Sequence, residues 1–161
     1  MNTYFPTDPR KEDYDDTELL LLLSEIAGII NDNTFDQLIW TGDINADFRR
    51  STSFVRTIEE FVVNIGLRKS WEKFDADFTH VTEREGVTYT SVIDHFFWNY
   101  QHENNVIEAG VLHIPENMSD HCPVFCKFKK AKSNEQEHKK YQQSFKNLLN
   151  PLCTSKQGKD S

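Results

Sequence analysis

The run FDQLIW, residues 35–40, is too short for a helix and lies between two segments of helical character; that order constrains the fold more than any other feature. Upstream, Asp13, Asp15, Asp16 and Glu18 precede LLLLLSEIAGII. Acids in a first turn complement the positive end of the helix dipole, which predicts a helix from about Tyr14 to Ile30 with leucines facing a core on more than one side. Downstream, Ser51 and Thr52 offer caps, and Phe54, Ile58, Phe61, Val62 and Ile65 recur at three- and four-residue intervals up to Gly66. FDQLIW then reads as a buried strand that delivers TGDINADF to its C-terminal end. Beyond Leu67 the texture is strand-like: RKSWEKF, a hairpin of FTHVT and VTYTS turning at Glu83–Gly86, then VIDHFFW, NNVIEAGVLHI and CPVFCKFK. The expected result is an α/β fold with helices covering sheet faces.

A chain of 161 residues has room for one such core. The expected domain spans residues 1–128, followed by a basic polar tail over 129–161 with one short helix between Gln136 and Leu149. Charge divides the same way: Met1–Cys126 carries 9 Lys/Arg against 23 Asp/Glu, Lys127–Ser161 carries 9 against 3. An acidic body does not attract a polyanion by itself, and the tail offsets it. Cys122, Cys126 and Cys153 form no CxxC pair, and on one strand Cys122 and Cys126 would stand roughly 13 Å apart, so no disulfide partner is expected. MNTYFPTDPR is not of signal-peptide form, and Leu19–Ile30 is interrupted by Ser24 and Glu25, which predicts an intracellular protein of nucleus or cytoplasm with no membrane association.

Four clusters carry candidate chemistry: Asn2-Thr-Tyr4-Phe-Pro6, Gly42-Asp43-Ile-Asn45, Ser91-Val-Ile-Asp94-His95 and Ser119-Asp120-His121. Asp94 inside an apolar strand needs a partner, because a lone buried carboxylate is costly. His121 suits it: a carboxylate orients an imidazole and favours its charged form, which can then stabilise negative charge developing at a phosphate. Ser91 and Ser119 read as loop braces, Pro6 and Pro123 as turn residues, Cys122 as a buried thiol, and His80, His102 and His113 as without a catalytic role. Arg49 and Arg50 follow GDINADF and are candidates for a nucleic-acid backbone or for solvation alone.

In this order the motifs NxYxP, GDxN, SxID and SDHxP resemble the endonuclease/exonuclease/phosphatase superfamily, over roughly Asn2 to Lys127. SVIDHFFWN followed by a hairpin and MSDHCPV is most similar to the endonuclease domains of non-LTR retrotransposons. The resemblance implies a DNase-I-like four-layer α/β sandwich, here partial. The superfamily's strand-borne Asn and metal-binding Glu lie upstream of the Tyr motif, and Met1 alone stands there in this sequence, so the chain resembles an N-terminally truncated domain with its first strands missing. Thr7 occupies a position that is Asn in several members.

Carried over by motif, Asp43 positions or deprotonates the attacking water and Asn45 binds a phosphate oxygen. Asp94 orients His121, which contacts the scissile phosphate; Tyr4 bonds the phosphate or assists the leaving oxygen. Asn2, Ser91 and Ser119 are supporting residues. Asp120, with Asp43, holds Mg²⁺ or Mn²⁺, which neutralises charge that would repel hydroxide. The implied function is that of a fragment of a metal-dependent phosphodiesterase, a DNA endonuclease that leaves a 3′-hydroxyl, with a reverse transcriptase region in the parent polyprotein. Its alternatives are a catalytically inactive remnant and a phosphoinositide or nucleotide phosphatase.

Overall fold

The computed structural model describes residues 1–8, 15–33, 35 and 37–129, without the side chains of residues 102 and 103. The short tail helix expected between Gln136 and Leu149 lies outside the described residues, as does the expected helix start at Tyr14.

β1 (Asn2–Tyr4) and β2 (Ile39–Asp43) are parallel neighbours, and the connection between them carries α1 (Thr17–Asp32), as a parallel pair requires. Asp15 accepts from the Thr17 backbone and hydroxyl in the first turn; these bonds hold its carboxyl below the usual range. α1 buries one face only, through Leu19, Leu23, Ile26 and Ile30, while Leu20 and Leu21 are exposed. The leucine run therefore does not face a core on several sides: one helix packs against one sheet, and a 3.6-residue period buries Leu19 and Leu23 while turning Leu20 and Leu21 to solvent.

α2 (Ser53–Asn64) begins where Thr52 accepts from the Val55 N–H, and Ile65 and Gly66 close it with φ +71° at Gly66. It buries Phe54, Val55, Ile58 and Val62, each contributing on the order of 1.5–3 kcal/mol. β2 starts four residues later than FDQLIW suggests and extends through Asp43. β3 (Leu67–Lys69) is also shorter than RKSWEKF suggests: a 3₁₀ turn, Ser70–Glu72, follows it, and Ser70 is buried with its hydroxyl accepting from the Phe96 N–H. β4 (His80–Arg84) and β5 (Val87–Ser91) form the expected hairpin, and Glu85 and Gly86 at φ +53° and +75° give it the twist of a primed turn.

β6 (Asp94–Asn99) lies at the centre of a four-stranded sheet of order β1-β2-β6-β3, while β7 (Val106–Val111) pairs with β8 (Val124–Phe128). Trp40 and Phe97 meet the buried faces of both helices in one core; Trp98, on the opposite face of β6, sets its ring against Phe128 of β8. These are successive helix, sheet and sheet layers of the expected α/β sandwich. Among the described residues no helix is long and apolar enough to cross a membrane.

Candidate active site

The site begins at Gly42, where β1 and β2 touch. A Cβ there would stand 1.8 Å from the Thr3 carbonyl oxygen, so only glycine lets the parallel strands approach. Asp43 follows. Its Oδ1 accepts from the Asn45 N–H at 3.0 Å, an Asx turn that draws Asn45 to φ +53°, a conformation Asn tolerates better than most residues. The Asn45 amide donates to the Phe5 carbonyl at 2.8 Å, fixing the turn to the end of β1.

Asp43 and Asp94 are direct partners in the β2–β6 register, an opposition of like charges that needs a cation or a proton. His121 lies against both: Nδ1 is 3.0 Å from Asp94 Oδ2, and Nε2 is 3.8 Å from Asp43 Oδ2. The first is a hydrogen bond; the second is too long for one and leaves the two groups placed to share an atom between them. Burial, and then the neighbouring Asp94 charge, push the Asp43 carboxyl above the usual aspartate value, although the Asn45 N–H and His121 pull the other way.

Three loops converge to hold this geometry. Thr79 is fully buried: its hydroxyl accepts from the Ile93 and Asp94 N–H groups at 2.9 and 3.1 Å, and its backbone pairs with Ser91 and Cys122. The Ser119 hydroxyl accepts from the His121 N–H and the Asn117 amide donates to the His121 carbonyl, so the SDH turn is fixed on both sides of the imidazole. Asp47, also buried, accepts from the Val92 N–H and from the Arg49 backbone and guanidinium. Burial alone would raise its carboxyl, but these donors hold it below the usual range. Neither Thr79 nor Asp47 stood out in the sequence, although Asp47 lies within GDINADF.

Among the motif residues, Asp43, Asp94 and His121 form the centre, with Asn45 and Ser119 supporting it. Tyr4 is in register with Asp43, but its side chain is exposed, and Asn2 lies two rungs away beside Thr41. Arg49 is engaged by Asp47 and by the Asp77 carbonyl; Arg50 lies 3.8 Å from Asp47. Ser91 does more than brace a loop, since its hydroxyl meets His80 Nδ1 at 3.2 Å. His80 itself comes to the site unforeseen: its ring centroid is 4.8 Å from that of His121. Asp120 is exposed, with Oδ2 3.5 Å from His80 Nε2.

One donor atom from each of His80, Asp120 and His121 lies within 4.8 Å of the others, a possible His/Asp metal site. A hard cation such as Mg²⁺ keeps several waters and takes one or two carboxylates; exposed Asp120 and the outer oxygen of Asp43 fit that demand. Among the described residues Cys122 and Cys126 are free thiols, and burial raises both, Cys126 to about 11. Cys122 Sγ lies 3.6 Å from His113 Nδ1, and a raised thiol leaves that pair without a thiolate nucleophile.

No family model and no curated protein matches the sequence. Solved structures do. The endonuclease domain of TRAS1, a telomere-specific non-LTR retrotransposon, superposes with a TM-score of 0.61 at 18% identity over 74% of this chain and 56% of that one. A 3′-5′ exonuclease from Neisseria meningitidis gives 0.62 at 17% identity over 80% and 60%, and an AP endonuclease from Archaeoglobus fulgidus gives 0.60 at 15% over 80% and 60%. The chain thus spans 56–60% of the length of these structures. In architecture, the chain shares the DNase-I-like α/β fold of these structures.

Proposed function

We propose that this chain carries the hydrolytic centre of a divalent-metal-dependent phosphodiesterase acting on DNA, a retrotransposon-type endonuclease. The observation that carries the reading is the Asp94–His121 hydrogen bond with Asp43 opposite, assembled from segments far apart in sequence. Asp43, raised above an ordinary carboxylate, is the better base for a water. The water oxygen bonds to phosphorus, its proton passes to Asp43, and the P–O3′ bond breaks, the departing O3′ taking a proton from solvent water to become a 3′-hydroxyl. Asp94 fixes the His121 ring so that Nε2 meets a phosphate oxygen as charge grows there, and in the same proposal Asn45 contacts the phosphate and Tyr4 the phosphate or the leaving oxygen. Mg²⁺ or Mn²⁺, held by Asp120 with Asp43, supplies charge neutralisation when bound. The basic tail, residues 129–161, is the segment that attracts DNA, and a reverse transcriptase region in a parent polyprotein belongs to the same proposal.

The test is conversion of supercoiled plasmid to open circles with Mg²⁺. Asp43→Asn and His121→Ala are each expected to lower it at least about a thousandfold with circular dichroism unchanged. Hydrolysis of inositol phosphates or nucleotides without nicking would reassign the centre to phosphomonoesters. Turnover of neither substrate would leave a binding remnant.

A further inference from the structure

We propose that His80, Asp120 and His121 bind one borderline divalent cation of the zinc class, through two imidazole nitrogens and a carboxylate oxygen. The phosphodiester reading gives His80 nothing to do, yet the fold holds it in place: β4 begins there, and His80 pairs with His121 in an isolated bridge. Both imidazoles are tied at Nδ1, His80 to the buried Ser91 hydroxyl at 3.2 Å and His121 to Asp94 at 3.0 Å. With Nδ1–H donated in each, the Nε2 lone pairs are left for a ligand, the outer-shell arrangement that orients metal-binding histidines. The His80 Nε2 to Asp120 Oδ2 distance of 3.5 Å is close to the separation, about 3.4 Å, of two ligands around a tetrahedral ion with bonds of about 2.0–2.1 Å. All three donors lie within 4.8 Å of one another, and exposed Asp120 can close the remainder without unpacking anything. Asp43 Oδ2, 3.8 Å from His121 Nε2, or a water completes the shell.

The donor set decides the class of ion. Imidazole nitrogen suits Zn²⁺, Co²⁺ or Ni²⁺, whereas Mg²⁺ takes oxygen. One consequence rests on the phosphodiester reading: a zinc-class ion on His121 Nε2 withholds that atom from phosphate, so the site works as an inhibitory switch.

The experiment titrates Co²⁺ into the chelator-stripped full chain and follows the visible d–d absorption. The expected result is saturation at one equivalent, bleached by stoichiometric Zn²⁺ but not by stoichiometric Mg²⁺, which shares only the carboxylates with this site. His80→Gln should weaken Co²⁺ binding at least about tenfold at unchanged melting temperature, Ser91→Ala should weaken it less, and His113→Gln should leave it as it was. Absence of the band, bleaching by stoichiometric Mg²⁺, or equal affinity in His80→Gln and Ser91→Ala and the parent overturns the site. In the nicking assay, Zn²⁺ should inhibit the parent and His80→Gln should relieve the inhibition. No nicking at all counts against the phosphodiesterase reading, while the cobalt band still judges the metal site.

Discussion

Acid should unfold this protein through one imidazole. His95 is buried beside Asp94, with Nε2–H shared between the Ala46 and Val92 carbonyls at 2.9 and 3.1 Å and with the Phe48 ring edge-to-face with its own. Nδ1 has no hydrogen-bond partner among the described residues, so a second proton would enter a site with nothing to receive it. Burial lowers the His95 pKa from 6.5 to about 4. The unfolded chain takes up this proton below pH 6.5 while the folded one refuses it until about pH 4. Stability from the neutral ring is therefore complete above 6.5 and lost as pH falls towards 4. At 1.36 kcal/mol per pH unit the full loss is about 3 kcal/mol, of which about 2 kcal/mol falls between pH 7 and 5. Asp47, whose carboxyl is lowered, weakens the fold only below the ordinary aspartate range, and Asp43, whose carboxyl is raised, acts in the opposite sense. Urea denaturation of the parent and of His95→Gln at pH 7 and pH 5 isolates the effect. Gln keeps an N–H donor near Nε2 but does not titrate, and the other histidines cancel in the comparison. The parent should lose about 2 kcal/mol more than the variant between the two pH values. Equal losses would refute the assignment.

Three further outcomes are expected. Asp94→Asn should lower nicking at least about a hundredfold with little change in KM, because the His121 ring loses the acceptor-only carboxylate that sets its tautomer; a KM effect alone would place Asp94 in substrate binding. Gly42→Ala should cost about 2–4 kcal/mol by thermal or urea denaturation, since its methyl displaces the Thr3 carbonyl, and an unchanged melt would show that β1 docking contributes nothing. Iodoacetamide at pH 8 followed by peptide mapping should leave Cys126 unmodified in the folded chain and modify it in urea; rapid labelling of the folded chain would contradict a thiol raised to about 11.

Helix α2 was legible because its periodicity and its Thr52 cap are local signals. The central sheet order was not, since the strands that flank β6 come from either side of α2 in sequence and share no local code. RKSWEKF misleads because apolar texture does not show that the Ser70 hydroxyl will bond the neighbouring strand and end β3 early. VIDHFFW shortens at its front for a related reason: the Val92, Ile93 and Asp94 N–H groups are taken by Asp47 and Thr79 side chains. The Asp94–His121 contact spans 27 residues and could be anticipated only through the motif order and the cost of an unpaired carboxylate. His80 gave no such warning, because a lone histidine in a hairpin looks the same whether it faces solvent or a second imidazole.

Asp94 and His95 are consecutive on β6, one turned to the site and the other to the core. A strand slipped by one residue would push a carboxylate among Phe48 and Phe97 and present an imidazole where His121 expects an acid. Misregistered copies of this protein would thus lose the core and the Asp94–His121 pair together. For any population of it, the fraction in which Asp94 faces His121 and the fraction that has formed its core should be the same number.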